Sequence, residues 1–387
     1  MLNTTLSSLR CPRRKKGRSR CLSPLKLHCK IQTRVGSEVF EIRSGSLECP
    51  SCTTHYPILE GVAVLVDDLR SYLLSHVKGI SKRVKIDDIP KEYRREFLEA
   101  RDEIESEHIE EDLEAERVNA LYLMNHFLRA KGAPATGSGP SWWQPLSGEP
   151  SPWIDAWVRN YWDCGPFAKI EDWISTKAKT QNPMQVIELG CGVGGLYRQL
   201  KPFISSYLGV DGSFASISMA RHLGLGVPDR SSFRVPGDLL QGPLSREVSI
   251  PVETNTSGQV DWIVGDLDSL PLREGGADLC IALNTIDMLD SPQELPKIQH
   301  SLLKEGGIAI QSCPYIWHEA VAKKLRKLLP KDIHDSARAV KWLYEQTGFK
   351  IEANEEHVPW LFFKHLRQIE LYSVHIFMGK KSRSPNI

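Results

Sequence analysis

The stretch from Gln185 to Asp211, QVIELGCGVGGLYRQLKPFISSYLGVD, leaves few folds open to this chain. Val186 and Ile187 make a short apolar run suited to a buried strand, and the run ends at the acid Glu188. Glycines follow at 190, 192, 194 and 195. Glycine lets the backbone turn tightly there and lets a ligand approach where a Cβ would block it. Residues 196–203 suit a short helix that Pro202 disturbs, and 207–210 read as a second strand ending in Asp211. A carboxylate at that point is placed to accept hydrogen bonds from the hydroxyls of a ribose. The stretch is one nucleoside-binding half of an α/β sheet.

Which nucleoside it holds turns on one residue. Gly190, Gly192 and Gly195 satisfy G-x-G-x-x-G, and Asp211 lies near the offset expected of a dinucleotide site. Glu188, two residues before the first glycine, makes the pattern E-x-G-x-G-x-G instead. A carboxylate there repels a pyrophosphate and suits the cationic amino-acid end of S-adenosylmethionine. Over roughly residues 184–378 the chain resembles the class I S-adenosylmethionine-dependent methyltransferases. The resemblance implies an α/β fold with a Rossmann-like seven-stranded sheet whose last strand is antiparallel. A nicotinamide or flavin enzyme and a catalytically silent cofactor-binding scaffold are the rival readings.

The resemblance also places site residues. The cofactor set is Glu188, Gly190, Cys191, Gly192, Gly194, Asp211, Gly212, Asp266, Leu267 and Asn284. Two Gly-Asp pairs compete to end the third strand, 237–238 and 265–266. The second is followed by Leu270-Pro271-Leu272 and matches the family's pattern, so Asp266 would receive the adenine amino group and Leu267 would pack at the ring. Residues 226–259 then become an insertion rich in Ser, Thr and Pro. The fourth strand, 278–283, ends at Asn284-Thr285-Ile286-Asp287. Ligands in open α/β sheets sit beyond the carboxyl ends of the strands, so Asn284 and Asp287 face the meeting point of cofactor and acceptor. Asp287 is the candidate base, with capping of the following helix as its structural alternative. Residues 304–307 turn into a fifth strand, 308–311, and Pro314-Tyr315-Ile316-Trp317 leaves it in a pattern similar to methyltransferases of small histidine derivatives. Residues 348–351 would be the sixth strand and 371–378 the antiparallel seventh. Between and within them, His357 to Trp360, His365, Arg367 and His375 would line the substrate side, with His375 read as a buried, satisfied histidine.

Five of nine cysteines fall in the first 52 residues. Cys49-Pro50-Ser51-Cys52 is a C-x-x-C knuckle that bites a metal with two thiolates. Cys11 and Cys21 look like the halves of a second knuckle split open by the basic run 13–20, and Cys29, His28 and His55 are substitutes in principle. With Tyr56-Pro57-Ile58 and the apolar run behind it, residues 1–68 resemble the small zinc-ribbon domain ahead of some bacterial rRNA guanine methyltransferases. That resemblance implies Zn²⁺ on Cys11, Cys21, Cys49 and Cys52. Cys164, Cys191, Cys280 and Cys313 are scattered and read as small buried hydrophobes.

Residues 69–132 form a helical connector, in which 91–116 carry twelve acidic against four basic side chains. Residues 133–152, broken by Gly, Pro and Ser, read as a flexible linker, and 153–387 as the methyltransferase domain. Aromatic residues at 153, 157 and 161 share a helix face, which makes Tyr161 the candidate lid residue. Net charge is +1 and no apolar run is long enough to span a bilayer, so neither a global nucleic-acid field nor a membrane is implied. Residues 1–37 hold no acid, and the cluster at 13–20 fits a transit peptide, a nuclear signal or an RNA-touching loop as well as a solvated insertion. The expectation is a cytoplasmic methyltransferase acting on a nitrogen or oxygen of a small molecule. RNA base methylation, with the ribbon holding RNA, is the alternative.

Overall fold

The computed structural model describes residues 1–14, 20–107, 121–123, 126, 161, 164–178, 183–225, 232–235, 246–249, 259–365 and 368–382. The chain opens with a 3₁₀ turn, Asn3–Ser8, and an antiparallel run β1 (Lys26–Arg34), β2 (Phe40–Glu48), β3 (His55–Leu59) and β4 (Val62–Leu65). Helices α1 (Leu69–Ser75), α2 (Val77–Ser81) and α3 (Arg94–Glu107) lie in the connector, and α4 (Pro166–Ala178) leads into the methyltransferase sheet. Then follow β5 (Met184–Leu189), α5 (Tyr197–Leu200), β6 (Ile204–Asp211) and α6 (Phe214–Gly224). A small hairpin, β7 (Ser232–Val235) and β8 (Arg246–Ser249), stands in the expected insertion as its own two-stranded sheet. The remainder is β9 (Val260–Gly265), β10 (Ala277–Leu283), α7 (Glu294–Leu302), β11 (Leu303–Cys313), α8 (Glu319–Leu328), α9 (Ser336–Gln346), β12 (Phe349–His365) and β13 (Gln368–Lys381).

Strands β9, β6, β5, β10 and β11 are parallel, and β13 runs antiparallel between β11 and β12. This is the expected seven-stranded sheet with its inserted antiparallel last strand. Parallel strands are covered on both faces and so read as continuous apolar runs; every residue of β9 is buried. The sheet does not stop at β9. Val64 and Leu65 of β4 pair in parallel with Val264 and Gly265, which joins the N-terminal strands to the rest in one eleven-stranded sheet. Leu47, Tyr56 and Ile58 of the N-terminal unit share an apolar cluster with Val210, Ile263, Leu270 and Leu272, so the unit has no separate core. On the opposite face α1, α2 and α6 pack with Trp262, Val264 and Ile217.

Three local expectations change. Residues 357–360, read as a connection on the substrate side, lie inside β12, which runs seventeen residues as one arm of a long hairpin with β13. A one-residue bulge at Glu355/Val358 absorbs His357, whose φ of 57° breaks the ladder. Cys164 is exposed, whereas Cys191, Cys280 and Cys313 are buried as expected. The turn at 304–307 is taken up as the irregular start of β11, with Gly306 at φ 76°. The linker at 133–152, the aromatic residues at 153 and 157 and the tip of the basic insertion, 15–19, lie outside the described residues, as does Arg367.

Candidate functional site

The glycine turn sits where the sequence placed it, between β5 and α5, and its geometry needs glycine. Gly190 has φ 69°, and a Cβ there would come 2.5 Å from the Thr285 hydroxyl; Gly194 has φ 72° and its Cβ would meet the Trp262 indole nitrogen at 2.7 Å. Gly192, with φ 52°, and Gly212 have open space beside them. Between those two glycines stands Asp211. Its Oδ2 accepts from the Gly192 amide at 2.9 Å and its Oδ1 from the Ser213 amide at 2.8 Å. Burial holds the Asp211 carboxyl above its ordinary pKa, partly offset by those two amides. Each carboxylate oxygen keeps a free lone pair, so Asp211 can still accept a hydrogen bond from a ligand hydroxyl. Cys191 is buried in the turn, its amide bonded to Val210.

Glu188, expected to serve the cationic end of a ligand through backbone and water, stands at the end of β5 just before the turn. It is buried and accepts a hydrogen bond from the Tyr207 phenol. Burial pushes its pKa up to about 8, against the lowering effect of that bond, so the group is neutral at pH 7. The register of β5 against β6 brings residues 186 and 207 together and turns Glu188 into the layer holding Tyr207 and Trp262. At the carboxyl end of β9, Asp266 is exposed and its Oδ1 caps a 3₁₀ turn through the Asp268 amide; Leu267 is half-buried beside it. Asn284 ends β10 in the left-handed region, φ 51°, with its amide on the Ser312 carbonyl and its Oδ1 accepting from the Ser312 hydroxyl.

The acceptor end lies beyond β10 and β11. Asp287 is 4 % exposed, and its Oδ2 accepts from the Ile316 amide at 2.8 Å. That partner lies 29 residues on, and α7 begins only at Glu294 with Gln293 before it, so Asp287 does not cap the following helix. Tyr315, with φ 61°, meets His375 Nδ1 through its hydroxyl at 2.6 Å, while His375 Nε2 meets Asn354 Oδ1 at 2.7 Å. His375 is the buried, satisfied histidine that was expected; burial lowers its pKa to about 4. Tyr161 is buried in the apolar cluster that also holds Phe167 and Trp360, as a core residue.

Sequence reasoning placed Trp360 on the substrate side but missed the other residues that close this space, several of them in the connector. Tyr72 donates its phenolic hydrogen to the Gly212 carbonyl at 2.7 Å. Rings of Tyr122, His126, Phe167, Trp360 and Phe362 meet edge to face, and a Cβ on Gly195 would strike His126 at 2.4 Å. No motif marks these contacts, because they join segments far apart in the chain.

In the N-terminal unit, the sulfurs of Cys11, Cys21, Cys49 and Cys52 all lie within 4.8 Å of one another, with Cys11–Cys52 at 3.5 Å and Cys21–Cys49 at 3.7 Å. A tetrahedral Zn²⁺ with Zn–S near 2.3 Å separates its sulfurs by about 3.8 Å, so these four fit that ion. Burial raises Cys21, but the Ser23 hydroxyl and amide and the neighbouring thiols outweigh it and leave its pKa at about 7; Cys52 is lowered in the same way by Thr54. Cys29 is exposed on β1, His28 pairs with Glu48 and His55 is exposed, so none of the three substitutes joins the group.

Comparison with known proteins agrees with this geometry. Residues 166–354 match the family described as a methyltransferase domain, and residues 3–61 match the family described as Trm112p-like protein. A curated relative, the biotin biosynthesis bifunctional protein BioHC of Teredinibacter turnerae, is 26% identical over 132 residues. The match takes in 33% of this chain and 23% of that protein, so the chain spans under a quarter of its length. Among solved structures, a complex of the Haloferax volcanii Trm112 methyltransferase activator with a putative methyltransferase is 16% identical, with TM-score 0.38, over 60% of this chain and 98% of that one. Magnesium protoporphyrin IX methyltransferase from Synechocystis is 17% identical, with TM-score 0.37, over 60% of this chain and 95% of that one. With a glycine turn, an acid at the end of β6 and the strand order of the seven-stranded sheet in one place, residues 166–354 of the chain are a methyltransferase domain and residues 3–61 a Trm112p-like domain.

Proposed function

We propose that the chain methylates a nitrogen, or an oxygen, of a small acceptor. The observation that carries this is the wall beside the glycine turn. It is built from edge-to-face aromatic rings, Tyr122 against Phe362 and His126 against Phe167, while the exposed groups ending β9 are Asp266 and Asp268. Aromatic faces with nearby carboxylates suit a flat or cationic small molecule and oppose a phosphate backbone. The bound cofactor supplies an electrophilic methyl group. Asp211, the glycines at 190, 192 and 194 and Gly212 hold its ribose and amino-acid parts, and Asp266 with Leu267 holds the adenine. Cys191 and Glu188 shape the floor from within. The chain's own contribution is to orient the acceptor and exclude water. Asp287, whose Oδ1 is not used on Ile316, takes the acceptor's proton or balances its charge, with Asn284 beside it. Tyr161, buried with Phe167 and Trp360, packs behind the aromatic wall, and Zn²⁺ on Cys11, Cys21, Cys49 and Cys52 holds the Trm112-like domain together.

An RNA acceptor has one observation in its favour. Arg13 reaches the Asp67 carbonyl and Arg14 the Asp268 carbonyl, so the root of the basic insertion stands beside the strand end that carries Asp266. Incubation with methyl-labelled S-adenosylmethionine, total RNA and a small-metabolite extract separates the two. Label in material of low mass supports the proposal, and ribonuclease-sensitive label of high mass replaces it with the RNA reading. Failure to bind S-adenosylmethionine at all sinks both.

A further inference from the structure

Asp211 is held in place twice over by its own loop, through the amides of Gly192 and Ser213. The loop itself is held from elsewhere. Gly212 is exposed and has open space beside its α-carbon, and its carbonyl accepts the Tyr72 phenol at 2.7 Å, 140 residues upstream. Tyr72 is not a free-swinging side chain. Its ring stacks on His76 with centroids 4.0 Å apart and planes 18° apart, and His76 Nδ1 sits 3.0 Å from both the Tyr72 carbonyl and the Ser75 hydroxyl. Leu69 and Leu73 on the same helix are buried in the cluster that holds Phe214 and Ile217 of α6. One turn further, Gly79 of α2 lies against Ala215, within 3.5 Å of where its Cβ would be. Helix α1 starts four residues after β4, capped by the Asp68 carboxylate on the Ser71 amide. The strand that welds the Trm112-like domain to β9 therefore runs directly into the helix that grips the Asp211 loop.

We infer that Tyr72 is a positioning residue of the cofactor site: by holding the Gly212 carbonyl it fixes the loop that presents Asp211 to the ribose. The segment following the Trm112-like domain thereby supports a loop whose own residues, Gly192, Asp211, Gly212 and Ser213, all lie after residue 183. The inference rests on the reading of Asp211 as the ribose acid. Tyr72 is half-buried and Gly212 is exposed, so water takes the phenol's place on the carbonyl and the bond does little for the fold. Its effect is on the loop's freedom, which a bound ribose must otherwise remove.

Tyr72→Phe keeps the ring and its stack on His76 and removes only the bond. In calorimetry with the full chain, its Kd for S-adenosylhomocysteine is expected to rise about fivefold, the worth of one net hydrogen bond. The melting temperature of the ligand-free protein stays where it was. An analogue lacking both ribose hydroxyls binds the variant and the wild type equally, since the lost order matters only to the Asp211 contacts. Asp211→Ala runs alongside. If Tyr72→Phe leaves Kd unchanged while Asp211→Ala weakens binding, the role of Tyr72 is overturned and the ribose reading stands. If neither weakens binding, both fall. Equal losses for the two ligands, or a matching fall in the ligand-free melting temperature, mark Tyr72 as a structural contact and overturn the inference.

Discussion

Asp211 and Asp287 stand beyond the carboxyl ends of two parallel strands, yet their surroundings give them different work. Asp211 borders open space, and its two amide bonds leave lone pairs for a ligand. Asp211→Ala should weaken cofactor binding by about 1.5–3 kcal/mol, the range for charged hydrogen bonds, as read by calorimetry. Asp287 is buried and tied to the Ile316 amide. Asp287→Asn keeps an oxygen for that amide, so the fold holds, while turnover should drop by about 10²–10⁴ if its other oxygen serves the acceptor. Wild-type turnover in that variant would leave Asp287 as the anchor of the 314–317 segment alone. Glu188 titrates on its own account. Its carboxyl ionises near 4.5 when unfolded and at about 8 when folded, because burial disfavours the charge. Between those values unfolding releases a proton, so this group's contribution to stability declines as pH rises from 4.5 to about 8 and is level above. Melting temperatures of the ligand-free protein should fall between pH 6 and pH 8.5, and Glu188→Gln should flatten that slope.

At the scale of elements, the glycine turn and the cysteine knuckles are both places where the backbone has little choice. Thr285 stitches the ends of β5 and β10, its hydroxyl 3.0 Å from the Leu283 carbonyl and 3.3 Å from that of Leu189. A methyl group on Gly190 would collide with that hydroxyl in a conformation with positive φ. Gly190→Ala should therefore cost roughly 2 kcal/mol or more of stability, measured by denaturant unfolding, and lose cofactor binding with it. The knuckles give a second outcome. Elemental analysis of protein purified without chelators should show one zinc per chain, and Cys49→Ser or Cys52→Ser should abolish it. Cys29→Ser should leave the metal in place, since Cys29 is exposed and outside the group.

Across the whole molecule, the join between the N-terminal domain and the methyltransferase sheet is sealed by charge as well as by the β4–β9 pairing. Arg221 on α6 is buried between Asp261 of β9 and Glu41 of β2, 3.0 Å from the latter. Asp261 also accepts from the Leu2 amide at 2.6 Å and the Thr5 hydroxyl at 2.7 Å. Arg221→Met strands two acids without their partner, a loss of about 3–5 kcal/mol. Because the sheet and one apolar cluster run through both domains, unfolding should remain a single transition that simply moves to lower temperature in the variant. Two separate transitions in calorimetry would show that the domains fold apart.

The sequence by itself determined the glycine turn, Asp211 at the end of the second strand and the Cys49–Cys52 knuckle, and its resemblances implied the antiparallel last strand and Cys11 and Cys21 as the knuckle's partners. Each of these depends on residues close in the chain or on chemistry that few side chains can supply: a turn that excludes Cβ atoms, a carboxylate at a strand end, four thiols for one ion. What only the tertiary structure decided depends on contacts across long separations. Nothing near Glu188 announces Tyr207 as its partner, and nothing near Asp287 announces Ile316; the register of β5 on β6 joins the first pair, and the turns leaving β10 and β11 join the second. The same holds for Tyr72 on Gly212 and for Val64 on Val264. An edge strand takes any partner that offers the right backbone, and backbone carries no sequence signature, so the union of the two domains into one sheet became visible only in three dimensions.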